Sequence, residues 1–258
     1  MTGRLLIANR GEIAVRIARA AAEFGIPTVA VYSADDEGAP HVAKADSAVA
    51  LRGTGVPAYL DIDDVLRAAA ESGADAVHPG YGFLSENARF AAACAERGVG
   101  FVGPAPEVLE RFGDKTMARD LAAELGVPVL AGTGPVDVEG ALAFQRELSG
   151  AVMLKAVAGG GGRGMRAVTD PARLPDDYAR CASEARAAFG DGRVYAEELL
   201  VPARHVEVQI VGDGSGAVVA LGERDCSIQR RHQKLVELAP APGLPDGVRA
   251  ELASAAVR

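Results

Sequence analysis

Lys155 closes the apolar run Ala151-Val152-Met153-Leu154, and a run of glycines, Gly159–Gly162, follows and ends in Arg163-Gly164-Met165. A buried-looking strand that ends in an ammonium needs an anion, because an unpaired buried charge is costly. A glycine loop beside it can wrap backbone N–H groups around phosphate oxygens, since no Cβ blocks close approach. Together they predict a nucleotide triphosphate site under a mobile flap. Glycine-rich stretches also serve as turns or linkers. A linker, however, would mix Gly with Ser and would not follow a strand-terminal lysine.

Three further stretches carry donors or acceptors. In Gly113-Asp114-Lys115, Asp114 reads as a helix N-cap that places Lys115 in the first turn. A lysine there opposes the helix dipole unless terminus and lysine both face an anion; a solvated surface lysine is the plainer alternative. In Arg204-His205-Val206-Glu207-Val208-Gln209-Ile210, alternation puts His205, Glu207 and Gln209 on one face and the apolar residues on the other, which must pack. The polar face is either solvated or the floor of a site. Between Glu223 and Lys234 lie Arg224, Arg230, Arg231 and His232. In an acidic chain that density suits an anion pocket, or a basic surface turn. Asn9-Arg10-Gly11-Glu12 follows a first strand as in dinucleotide-binding folds, but GxGxxG is absent, which argues against a dehydrogenase.

The elements that must position these residues change character along the chain. Leu5–Ala8, Thr28–Tyr32, Ala74–His78 and Val99–Val102 read as strands. Between them, Glu12–Phe24, Asp61–Glu71 and a helix capped by Ser85 and running to Arg97 read as helices. This alternation predicts a doubly wound parallel sheet. After Gly113 come a helix with the stripe Met117, Leu121 and Leu125, then a smaller α+β unit. Its parts are a helix over Val138–Leu148, strands into Lys155 and over Met165–Val168, a helix over Pro171–Phe189 and a strand over Val194–Glu197. A hairpin of Arg204–Val211 with Ala217–Cys226 and a helix from Pro245-Asp246 complete it.

At 258 residues the chain suits one large or two moderate domains, and its balance of 49% apolar and 24% charged residues is that of a soluble globular protein. A net charge of −8 argues against nucleic-acid binding, so a basic site must be a local pocket. Cys94, Cys181 and Cys226 are widely spaced, which favours a reducing cytoplasm over disulfides or a metal knuckle. No apolar stretch is long enough for a membrane span.

With these residues in view, the chain resembles biotin carboxylase, an ATP-grasp ligase, nearly collinearly along its whole length. The resemblance rests on Ile7–Ala14, His78–Asn87, Gly113-Asp114-Lys115, Gly159–Met165, Arg204–Glu207, Glu223–Ser227 and Gln229–Lys234. It implies an N-terminal α/β domain over 1–112 and the ATP-grasp lid and nucleotide-binding region over 113–258. It further implies ATP- and bicarbonate-dependent carboxylation of biotin on a carrier domain, through carboxyphosphate. That is the first half-reaction of an acetyl- or propionyl-CoA carboxylase, with a carboxyltransferase as partner and a homodimer as the full-length state. A carbamoyl-phosphate or purine-pathway ligase would share the lysines and glycine loop but lack the Arg230–Lys234 and His78–Gly82 stretches.

Residue by residue, the resemblance assigns Lys115 and Lys155 to the ATP phosphates and Gly161 and Gly162 to the lid. Glu197, Glu198, Leu199 and Leu200 match the adenine-holding segment, partly through backbone groups. His205 and Gln229 match nucleotide contacts, and His232 lies near the phosphates. Glu207 matches a supporting acid. Lys234 matches a bicarbonate contact, with Arg230 and His232 counted beside it as catalytic. Tyr81 lies in a loop that reaches toward biotin. The resemblance places the Mg²⁺ ligands, the catalytic base and a biotin-binding arginine later than Arg258. No metal ligand is therefore expected here, and the chain is expected to be part of a longer enzyme, inactive alone. A non-catalytic nucleotide-binding or assembly module is the alternative.

Overall fold

The computed structural model describes residues 3–158, 164–230 and 233–258. The chain divides into two compact units, Met1–Gly113 and Asp114–Arg258.

The first unit alternates strand and helix. Its elements are β1 (Leu5–Ile7), α1 (Gly11–Glu23), β2 (Thr28–Tyr32), α2 (Pro40–Lys44), β3 (Ser47–Ala50), α3 (Gly55–Tyr59), α4 (Ile62–Ser72), β4 (Ala76–His78), α5 (Ala88–Glu96), β5 (Gly100–Phe101) and α6 (Pro106–Gly113). The strands form a parallel sheet in the order β3-β2-β1-β4-β5. Alternation along the short strands sends successive side chains to opposite faces. Leu5, Ile7 and Ala76 meet Ala14, Ile17, Ala18 and Ala21 of α1. Leu6, Val29, Val31 and Val77 meet Tyr59, Val65, Leu66, Phe90 and Cys94 on the other side. Helices therefore cover both faces, as the alternation predicts.

One cap differs from expectation. Asn87, not Ser85, caps α5 by accepting from Phe90 N at 3.0 Å. Residues 82–87 are spent on successive tight turns, closed by Ser85 N to Gly82 O and Asn87 N to Leu84 O, which delays the helix. The pattern also gave no sign of β3, whose Ser47–Ala50 run is half polar or small.

The second unit contains α7 (Lys115–Glu124), β6 (Gly132–Val136), α8 (Val138–Leu148), β7 (Val152–Ala156), β8 (Met165–Val168), α9 (Leu174–Phe189), β9 (Val194–Glu198), β10 (Val206–Gly212), β11 (Val218–Arg230), β12 (Gln233–Leu238) and α10 (Asp246–Val257). One antiparallel sheet runs β6-β9-β7-β8 and a second runs β10-β11-β12. Val152, Leu154, Val194 and Ala196 pack against Ala141 of α8 and Cys181 of α9. Lys155 does not end its strand, which continues through Ala156.

The expected apolar stripe of α7 is not what packs: Met117 is 52% exposed, and no α7 residue is fully buried. Between Gln209 and Ile210 of β10 the pairing slips, because β11 carries Leu221 as an extra residue there, and Ile210 is left 42% exposed. The hairpin is also larger than expected, since β11 runs on to Arg230 and a third strand, β12, joins it. No described helix is long and apolar enough to cross a membrane.

Candidate functional site

Strand β7 aims Lys155 away from the helix pair. Val152, Leu154 and Ala156 point to the α8–α9 core, so Met153 and Lys155 share the opposite face. In register, Met153 opposes Glu197 and Lys155 opposes Tyr195. Glu197 is thus the diagonal neighbour of Lys155, within reach of two long side chains. The anion that Lys155 demands is accordingly found inside the chain: its Nζ donates to Glu197 Oε2.

Helix α7 supplies the rest. Asp114 Oδ1 accepts from Thr116 N at 2.8 Å and Met117 N at 3.1 Å, which starts the helix immediately after Asp114. Two N–H groups of the helix terminus are therefore taken by the cap, and the side chain of Lys115 remains to meet an anion. Lys115, Ala118, Arg119 and Ala122 recur at helical spacing, and with Lys155, Tyr195 and Glu197 they line one cleft. The alanines leave room; the cations set the charge. Arg119 Nε lies 3.6 Å from Glu197 Oε1. Two cations lie on one carboxylate that is only 7% exposed, and Lys115 lines the same cleft.

Among the described residues, Lys115 has no carboxylate within salt-bridge distance. Burial, and next the charge of Lys155, hold its ammonium below the usual lysine range. Burial raises Tyr195 to about 12, with Glu197 adding to it. A cleft with surplus positive charge in a chain of net charge −8 is built for an anion.

The second sheet gathers a separate group around Glu207. Arg224 Nη2 donates to Glu207 Oε1, and Lys234 Nζ donates to Oε2. His205 Nε2 lies 3.7 Å from Oε2, and Gln229 Nε2 lies 2.8 Å from His205 Nδ1. The hydrogen bond from Lys234 is the main cause of a lowered Glu207 pKa, and Glu207 in turn raises Lys234. Lys234 is therefore an ammonium at neutral pH, a cation rather than a base. Glu207, Cys226 and Glu237 form the one cluster of metal-type donors among the described residues. Arg224 and Lys234 already neutralise its carboxylates, so it does not fit a divalent ion.

Arg230 is exposed at the end of β11, in register with Gln233, and Gln229 is in register with Lys234. Glu198 N donates to Ala131 O at 2.8 Å and Leu199 N to Ala151 O at 3.0 Å, so these two N–H groups are engaged within the chain; Leu200 is exposed. Gly161, Gly162 and His232 lie outside the described residues. No described hydrogen bond or ion pair joins the Lys155 group to the Glu207 group.

Tyr81 belongs to the first unit, on a turn held by Asn9. The Asn9 amide is 2% exposed and donates to Pro79 O at 2.7 Å and Tyr81 O at 2.9 Å; its Oδ1 accepts from Arg10 N at 2.8 Å. Gly80 sits at φ +67°, where a Cβ would lie 2.7 Å from Asn9 Nδ2. Tyr81 Oη donates to Glu12 Oε1. Arg10 is clamped by Asp36, with Nε to Oδ2 at 2.5 Å and Nη2 to Oδ1 at 2.6 Å, and Tyr59 Oη donates to Oδ2 at 2.8 Å. The acid after β2 that a dinucleotide-binding fold offers to a ribose is thus occupied by an arginine of the same chain.

Residues 1–109 match the family described as biotin carboxylase, N-terminal domain, and residues 114–258 match the carbamoyl-phosphate synthase L chain, ATP binding domain. The chain belongs to the biotin carboxylase family. It is 51% identical to the mitochondrial pyruvate carboxylase of Rattus norvegicus over 99% of its own length and 22% of that protein. To the pyruvate carboxylase of Bacillus subtilis (strain 168) it is 49% identical over 98% of itself and 22% of the relative. The chain thus spans about a fifth of the length of these curated relatives. A biotin carboxylase–beta-gamma-ATP complex from Campylobacter jejuni superposes with a TM-score of 0.98 at 43% identity, covering 100% of this chain and 58% of that one. The biotin carboxylase domain of Hydrogenobacter thermophilus 2-oxoglutarate carboxylase, in complex with MgADP, ADP and bicarbonate, gives 0.96 at 44% identity, over 100% and 57%.

Against this family background, sequence reasoning missed Arg119 and gave Arg224 and Asn9 no role of their own. Arg119 had a signal in its spacing, four residues after Lys115 on one helix face. Arg224 could be found by pairing β10 with β11, since it lies directly opposite Glu207. Asn9 carries no signal of its own, because its partners are backbone carbonyls seventy and more residues away.

Proposed function

We propose that this chain provides the nucleotide- and bicarbonate-handling part of a biotin carboxylase, with residues 1–112 as the N-terminal domain and 113–258 as the ATP-grasp lid and nucleotide-binding region. The observation that carries the reading is the cleft in which Lys115, Arg119 and Lys155 outnumber the single carboxylate of Glu197. Lys115 and Lys155 grip the phosphate tail of ATP, and Gly161 and Gly162 fold over it. The segment Glu197, Glu198, Leu199 and Leu200 borders the base. Lys234, kept protonated by Glu207, orients bicarbonate, and His205 and Gln229 sit beside it on the nucleotide side. Arg230 adds positive charge, His232 is assigned to the phosphates, and Tyr81 meets the carrier's biotin.

A bicarbonate oxygen attacks the γ-phosphorus while the bond to the ADP oxygen breaks, giving carboxyphosphate; its carboxyl group then passes to biotin N1′ as the C–O bond to phosphate breaks, and the departing phosphate takes the N1′ proton. The cations lower the barrier by positioning and charge neutralisation. Mg²⁺ would supply further charge neutralisation at the phosphates in such a reaction, and the Glu207, Cys226 and Glu237 cluster is not fitted to hold it. The names of the relatives favour pyruvate over acetyl- or propionyl-CoA as the final acceptor, served by a separate carboxyltransferase. Buried free Cys94, Cys181 and Cys226 accord with a reducing, cytoplasmic setting.

Calorimetric titration with ADP tests the reading. Lys155→Met is expected to weaken binding on the order of a hundredfold, since a charge-assisted contact is lost. Unchanged affinity refutes the assigned role. Bicarbonate-dependent ATP hydrolysis separates the enzyme from a nucleotide-binding module that lacks chemistry.

A further inference from the structure

Glu197 is an awkward residue for a phosphate site: a buried carboxylate already holding one of the lysines that the phosphate needs. An anion that takes Lys155 must compete with this carboxylate for the ammonium's charge. A released carboxylate with no new partner would be a buried, uncompensated charge, which is strongly unfavourable.

The structure holds a second partner ready. Arg119 Nη2 is anchored on Leu130 O at 2.8 Å, so the guanidinium is fixed in place. Its Nε is buried and, among the described residues, has no hydrogen-bond partner, although buried donors are rarely left unpaired. That same nitrogen lies 3.6 Å from Glu197 Oε1, just beyond hydrogen-bond distance. The space for the guanidinium comes from Gly132, which pairs with Glu197 across β6 and β9. A Cβ at Gly132 would lie 2.4 Å from Arg119 Nη1.

From this orphaned donor facing the second oxygen of a carboxylate whose first holds Lys155, we propose that Glu197 is a counter-ion that changes partner. It holds Lys155 until a polyphosphate arrives, then moves onto Arg119 Nε and frees the ammonium for the ligand. Arg119 is in these terms a positioning residue that acts through Glu197. The inference rests on the nucleotide-binding reading above and adds the step by which the site opens. Its direct consequence is that Glu197 opposes anion binding while Arg119 relieves that opposition.

The test is titration of the intact protein with ADP and with tripolyphosphate, which reports the phosphate cleft without a base. Glu197→Gln, an isosteric change, is expected to tighten tripolyphosphate about tenfold, because no ion pair has to be broken. Arg119→Met is expected to weaken it about tenfold in the wild-type background and by less than about threefold in the Glu197→Gln background. Weaker or unchanged binding by Glu197→Gln overturns the exchange. So does an equal loss from Arg119→Met in both backgrounds, which would make Arg119 a direct ligand contact. Should a variant fail to fold, the tripolyphosphate complex of the wild-type protein decides. Glu197 within about 3 Å of Arg119 Nε and off Lys155 supports the exchange, and a retained Lys155 pair overturns it. A wild-type protein that binds neither probe refutes the nucleotide reading itself, and the exchange with it.

Discussion

Replacing Asp36 by Asn tests the clamp behind the Asn9–Tyr81 turn and should show a defined pH signature. The carboxylate is 7% exposed and receives both forks of Arg10 and the hydroxyl of Tyr59. The Arg10 hydrogen bonds, opposed by burial and assisted by Tyr59, bring its pKa from 3.8 down to about 2. At about 1.4 kcal/mol per unit, a depression of that size stabilises the folded state by about 2 kcal/mol at neutral pH. Because the folded pKa is the lower one, this stabilisation is fully present above the unfolded value near 3.8 and is lost as pH falls toward 2. Around pH 3 roughly half of it remains.

Urea unfolding followed by circular dichroism should therefore show Asp36→Asn destabilised by about 2 kcal/mol at neutral pH, with the gap to wild type shrinking by about half near pH 3. A gap of the same size at both pH values would mean that the residue acts by shape or packing and not by its charge. A gap near zero at neutral pH would mean that half-exposed Arg10 gives no net attraction.

Two further outcomes follow from single contacts. Asp114→Ala removes the acceptor for Thr116 and Met117 N–H groups, so thermal unfolding should show a loss of about 1 kcal/mol, and ADP affinity should fall as Lys115 loses its fixed start. Gly80→Ala forces a Cβ against Asn9 Nδ2 in a left-handed turn, so it should cost about 1–3 kcal/mol and speed amide exchange at Tyr81, while Ala at Gly134, with nothing near its Cβ position, should not.

Much of the architecture was legible because its causes are local. Short apolar runs and helical stripes set β1, β2, α1 and α4, and Asp114 capped its helix as its type and position require. Where reading failed, a distant partner intervened. Met117 and Leu125 of the α7 stripe are exposed, and the helix turns its small and basic face to the cleft instead. The pairing of β10 slips at an extra residue of β11, Leu221, that no pattern in β10 announces. The lysines could be picked out from their neighbours, but the carboxylate answering Lys155 sits 42 positions later.

By itself, the order of residues determined the doubly wound first unit, the donors concentrated around Lys115, Lys155 and Lys234, and the family resemblance. These depend on period, capping and residue type, which act over a few positions. Tertiary structure alone decided that Glu197 stands between Lys155 and Arg119, that Glu207 gathers Arg224 and Lys234, and that Asn9 holds the Tyr81 turn. Strand register and helix placement bring those groups together across 17 or more positions, and electrostatic pairing depends on distance in space, to which separation along the chain is no guide.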